Sequence, residues 1–139
     1  MRHGSDPSDI DWVNQQLGQH FVGRSLAQMR VGSGIHLELG DSYEISIESP
    51  VSVDRTDEQW EGEPLNVDAA GAVTPLLHAE LTSATVGADG SLRLEFGDAV
   101  IEVPADASHE SWRLQGPEDL LIVCAPGGSV AKLPAGEGS

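Results

Sequence analysis

Ile35-His-Leu-Glu-Leu-Gly-Asp41 and its echo Leu92-Arg-Leu-Glu-Phe-Gly-Asp98 decide the reading of this chain. In each copy three apolar residues alternate with polar ones and run into a Gly-Asp turn, which is the period of a strand with one buried face. The chain continues alike after both copies. Tyr43, Ile45 and Ile47 alternate with Glu44, Ser46 and Glu48 before Pro50, and Val100-Ile-Glu-Val103 returns before Pro104. One strand–turn–strand unit is therefore used twice. The repeat says how the chain is built and carries no reaction.

Outward from the first copy, a strand is expected from about Phe21 to Val31, closed by a Gly32-Ser-Gly34 turn. Before it, Ser8 is a good N-cap, and Asp9 and Asp11 lie where the helix dipole favours acids. Ile10, Val13 and Leu17 recur at helical spacing, so a short helix over about 9–18 is predicted, ended by Gly18. Outward from the second copy, a strand from about Leu81 to Val86 meets Asp89-Gly90, a strong hairpin signal. Trp112 and Leu114 open a further strand, Pro117-Glu-Asp119 turns into Leu120–Cys124, and Gly127-Gly128 leads to a last strand at Val130–Leu133. The middle, 54–72, breaks the rhythm and reads as a long acidic loop, followed by a helix start at Thr74-Pro75. The expected fold is α+β and mainly antiparallel β. Two similar meanders, about 9–53 and 74–133, form a sandwich or open barrel with a short N-terminal helix in a single domain, 9–133. Residues 1–8 and 134–139 are expected to be flexible tails.

Composition limits the functions open to such a fold. The 139 residues hold 23 acids against 7 bases, a formal net charge of −16. That field repels nucleic acid and anionic membrane surfaces, which need Lys and Arg to displace counterions, and it speeds encounter with a basic partner. The single cysteine, Cys124, excludes an internal disulfide, and within Leu120-Leu-Ile-Val-Cys124 it reads as a small buried hydrophobe. Met1-Arg-His-Gly-Ser-Asp6 lacks the apolar run of a signal peptide and no stretch has transmembrane length, so a cytoplasmic protein is expected.

The two hairpins, followed by His109-Glu-Ser-Trp112 and Pro126-Gly-Gly128, resemble a small functionally uncharacterised domain family of actinobacteria. The resemblance spans about Trp12 to Leu133. Its motifs are turns and core positions, so it implies a fold and brings no catalytic residues. The layout is also similar, by analogy alone, to immunity proteins of bacterial toxin systems, which are commonly small and acidic.

Catalytic patterns are sparse. His3, His20, His36, His78 and His109 show no H-E-x-x-H or short paired spacing, and there is no Walker loop or G-x-S-x-G. No metal and no cofactor is expected. His109 and Glu110 beside Trp112 form the one cluster worth weighing as a small-ligand or enzymatic pocket, since a carboxylate can orient an imidazole base; a turn before a strand accounts for it equally. The stronger candidate surface is acidic. Asp54, Asp57, Glu58, Glu61 and Glu63 crowd around Trp60, and Trp12 lies off its helix's apolar stripe, as interface anchors do; both rings could instead fold back onto the domain. Glu38, Glu44, Glu48, Glu95 and Glu102 are expected on outward hairpin faces. A non-enzymatic binding protein for a basic protein partner is the first reading, with toxin immunity its sharpest form. A pocket at His109 is the second, and the chain is expected to be a monomer or a homodimer.

Overall fold

The computed structural model describes residues 7–32, 34–56, 58–63, 67–118 and 120–132. Its N-terminal helix, α1, spans Pro7–Gln16 and buries Ile10 and Val13, as their spacing requires. Gly18 does not end it. The helix widens into a π-helical turn, Leu17–Phe21, sealed by the Val22 N–H donating to the Leu17 carbonyl at 3.0 Å. Leu17 and Phe21, four residues apart and so on one face, are both at 0% exposure. The strand expected from Phe21 consequently begins later, as β1 (Gln28–Val31). Residues 23–26 instead bond to 79–81, through Gly23 N–H to the Leu81 carbonyl and Leu26 N–H to that of Ala79.

Ten further strands follow: β2 (Ile35–Glu38), β3 (Glu44–Ile47), β4 (Val51–Arg55), β5 (Glu58–Gly62), β6 (Ser83–Val86), β7 (Leu92–Phe96), β8 (Ala99–Val103), β9 (Trp112–Gly116), β10 (Leu120–Cys124) and β11 (Val130–Lys132). They form two antiparallel sheets packed as an open sandwich, ordered β1-β2-β3-β9-β10-β11 and β5-β4-β8-β7-β6. The repeated hairpins lie in different sheets. Ile35, Leu37, Leu39, Leu92, Leu94 and Phe96 are all buried, each copy turning its alternating face to the shared core. Their turns differ by one residue. Leu39 pairs with Tyr43 around Gly40-Asp41-Ser42, all at positive φ, whereas Phe96 pairs with Ala99 around Gly97-Asp98.

The strained first turn is held from outside. Arg24 stacks over the Tyr43 ring at 4.1 Å and bonds Asp41 at 2.8 Å, while Phe21 meets the same ring edge-on at 5.1 Å.

The long acidic loop expected over 54–72 is not there. Val51–Arg55 and Glu58–Gly62 form a hairpin, with Val53 opposite Trp60, and α2 (Val67–Val73) follows. Thr74-Pro75 does open a helical turn, but a single one that is not separate from α2. Thr74 continues α2 into a 3₁₀ turn, Thr74–Leu76, with its hydroxyl donating back to the Ala70 carbonyl. Because β4 and β5 join β8, β7 and β6, while β9–β11 join β1–β3, the two halves of the chain interleave.

Where the sheets meet, the β6–β7 turn presses backbone to backbone on the turn between β10 and β11. A Cβ built on Gly128 would overlap the Asp89 carbonyl, and one on Gly90 would overlap Gly128. Both glycines also hold positive φ, 90° and 97°. The expected outcome is that Gly128→Ala lowers unfolding free energy by at least about 2 kcal/mol, from left-handed strain plus collision. Gly18→Ala, with open space around it, should be neutral or stabilising. Urea denaturation of the two variants compares them directly.

Candidate functional site

Strand β5 forms one edge of the five-stranded sheet. It reads Glu58-Gln-Trp-Glu-Gly62, and strand alternation sends Trp60 to the inward side with Val53. The indole is half-buried at the rim of the core and folds along the strand over Gly62, whose absent Cβ would lie 3.1 Å from Cζ2. Gln59 and Glu61 fall on the other face. There the register sets Glu61 beside Ser52 and Ser52 beside Glu102, with Asp54 next to Gln59. Two adjoining open depressions of about 520 and 400 Å³ run along this corner and share Asp54 and Gln59; Trp60 lines the smaller.

The distribution of cations gives this corner its sign. Arg30 bonds Glu38 and Glu44, each at 3.1 Å, and Arg93 bonds Glu95 at 3.1 Å and Glu102 at 3.0 Å. The outward hairpin acids are thus largely compensated where they stand. Arg24, Arg55 and Arg113 are engaged by Asp41, Glu58 and Glu110. Among the described residues, no cation pairs with Asp54, Glu61 or Glu63, so uncompensated charge collects around β5.

Of the residues singled out by sequence, Glu58, Trp60, Glu61 and Glu63 come together on or next to β5, and Asp57 lies outside the described residues. Trp12 is elsewhere. It packs half-buried against the core from α1, which touches β6 and β11, whereas β5 is the opposite edge of its sheet, roughly 19 Å away at four strand spacings. Asp54, expected near Trp60, and Glu102, expected on the second hairpin's outward face, both belong to the corner. Ser52 and Gln59 join them without having been singled out by sequence, and alternation in Val51-x-Val53-x-Arg55 was the available signal for Ser52.

His109, Glu110 and Trp112 diverge. The His109 side chain is 75% exposed with Nδ1 3.3 Å from Asp106, and Glu110 bonds Arg113. Trp112 is wholly buried and donates its indole N–H to the Gly90 carbonyl at 2.8 Å. A second polar group sits on the outer face of the other sheet. Ser46 Oγ lies 3.0 Å from Glu44 Oε2 and 2.9 Å from His36 Nδ1. The hydroxyl has one hydrogen, and giving it to the carboxylate leaves the imidazole as the donor. At 3% exposure this serine is closed to a substrate. Among the described residues no group of three or more His, Cys, Asp or Glu is arranged to hold a metal ion.

Residues 17–134 match the family of unknown function DUF6188. The chain belongs to that family. The matched span takes in all eleven strands, Trp60, and the Gly90–Gly128 contact, and begins after α1 with its Trp12. No curated protein and no solved structure matches the chain. Among the described residues no helix is long and apolar enough to cross a membrane.

Burial pushes the Cys124 thiol above its ordinary pKa, and its sulfur contacts the Gly90 carbonyl at 3.4 Å. Native protein at neutral pH should therefore react with a thiol reagent only as fast as it unfolds, and rapid labelling would refute the burial. Two carboxylates shift the other way. Asp106 is held below the ordinary range chiefly by the Ser108 N–H, and Asp89 by the Ser91 hydroxyl and N–H. Folding therefore favours their charged forms. Their contribution to stability is complete above about pH 4, the ordinary carboxylate pKa, and is lost as pH falls through the lower folded values. Asp106→Asn should flatten the decline of the urea midpoint below about pH 4. An unchanged slope would count against this assignment.

Proposed function

We propose that the protein is a non-enzymatic binding protein that holds a basic protein partner at the β5 corner. The supporting observation is the pairing pattern of the arginines. Carboxylates on the hairpin faces largely have their cations, and among the described residues Asp54, Glu61 and Glu63 around the half-buried Trp60 do not, Glu58 alone there being paired with Arg55. An aromatic ring rimmed by unpaired charge is the usual composition of an interface anchor, with the ring supplying desolvated area and the rim supplying steering. Neutralisation of a basic toxin is the sharpest form of this reading and rests on analogy of size and charge. The exposure of His109 and the burial of Trp112 favour no pocket there.

The test is stopped-flow association with a partner captured at low salt. Association should slow steeply with added salt, because attraction is screened beyond about 8–10 Å at physiological ionic strength. Glu58→Gln and Glu61→Gln together should reduce the association rate. Trp60→Ala should mainly raise the dissociation rate. Rates indifferent to salt and to all three substitutions would reduce the acidity to an aid to solubility.

A further inference from the structure

The sandwich has four strand edges, and they are not equally open. The edge of β6 is taken. Asn14 on α1 accepts the Val86 N–H with its amide oxygen at 2.6 Å and donates its amide N–H to the Val86 carbonyl at 3.1 Å, occupying two backbone groups that a further strand would use. The edge at β11 is a three-residue strand touched by α1. β1 carries Arg30, the wrong sign for a cationic partner. β5 is five residues long, has one strand neighbour, and contains neither proline nor a basic residue, which are common ways of blunting an edge. α2 touches β5 and β1, and no described backbone hydrogen bond joins it to either.

We propose that β5 accepts an extended basic segment of the partner as an added strand. This deepens the reading above and rests on it. In a ladder, every second residue of an edge strand directs its N–H and C=O outward, so β5 offers a backbone template whatever the partner's sequence. The side chains then set the pattern. A residue of the incoming strand facing Glu61 joins the outward row Glu61–Ser52–Glu102 and is favoured as Lys or Arg. Its neighbour facing Trp60 falls on the inward side and is favoured as apolar. The segment is therefore basic and apolar in alternation. A second copy of this chain is a poor occupant, because pairing β5 antiparallel with itself about Trp60 gathers Glu58 and Glu61 of both copies on one short ribbon, between proteins of net charge −16.

The probe is a short peptide of alternating lysine and valine, compared with the same peptide methylated on alternate backbone nitrogens. Charge and side chains are unchanged in the second, and ladder bonds are lost. Hydrogen exchange followed by NMR should show alternate β5 amides slowed by the plain peptide, with the methylated one binding about tenfold or more weakly, as expected for two or so lost hydrogen bonds. Equal affinity would overturn strand addition while leaving a charge-steered partner intact. Protection at β1 or β11 in place of β5, or binding by neither peptide, would also overturn it. The reading beneath it is decided separately by the salt dependence of the captured partner.

Discussion

The carbonyl of Gly90 accepts the indole N–H of Trp112 at 2.8 Å and lies 3.4 Å from the sulfur of Cys124, and the rest of the fold is arranged around that point. Apolar contact alone holds two sheets together without fixing how they sit, because it is not directional. A buried hydrogen bond between a turn of one sheet and a tryptophan of the other is directional, and breaking it would strand a buried donor. Trp112 also pairs laterally with Ile47, so the bond ties the β6–β7 turn to the middle of the six-stranded sheet. The close approach of Gly90 and Gly128 follows, and only glycine's missing Cβ and tolerance of positive φ permit it.

With the sheets fixed, a sandwich still has edges and gaps to close. α1 lies against β6 and β11, and α2 against β1 and β5. The two helices do different work at the edges. α1 brings Asn14, whose amide imitates a neighbouring strand at Val86, while α2 buries Ala69 and Val73 and, among the described residues, makes no backbone hydrogen bond to the side of β5 that faces away from β4. The open edge is served by an arginine only at Glu58, and among the described residues no cation pairs with Asp54, Glu61 or Glu63. Five described arginines pair with carboxylates elsewhere or at the Arg55 end of the hairpin, so a charge spread widely along the sequence becomes locally uncompensated around Trp60. Net charge steers encounter from a distance. Which contacts persist after encounter depends on where compensation fails.

Much of the molecule was legible from residue order. Alternation in Ile35–Leu39 and Leu92–Phe96 announced which side chains are buried, and all six apolar positions are. Asp89-Gly90 marked its hairpin, and Leu120–Cys124 its buried strand. The misreadings share a cause. Gly18 looked like a stop, yet burying Leu17 and Phe21 on one face favoured continuing the helix, which here takes a π-helical turn. Thr74-Pro75 looked like a start, but packing of Ala69, Ala72 and Val73 had already formed a helix. Glu58–Gly62 lacked any strand signature because an edge strand takes its order from the neighbour it pairs with, and most of its side chains remain exposed.

The sequence by itself determined that this is an acidic, mainly antiparallel β protein with a duplicated hairpin, since the inside–outside period of a strand is local and needs no partner. It did not determine which sheet each hairpin joins. The copies went to different sheets, and the halves interleaved, through pairings such as Ile47 with Trp112 and Val53 with Ile101 that no local pattern encodes. The candidate site is likewise tertiary. Trp60 and its neighbouring acids are close in sequence, but the addition of Glu102, the withdrawal of Trp12 to the opposite edge, and the lack, among the described residues, of a cation on Asp54, Glu61 and Glu63 all depend on which strands and arginines the fold brings near.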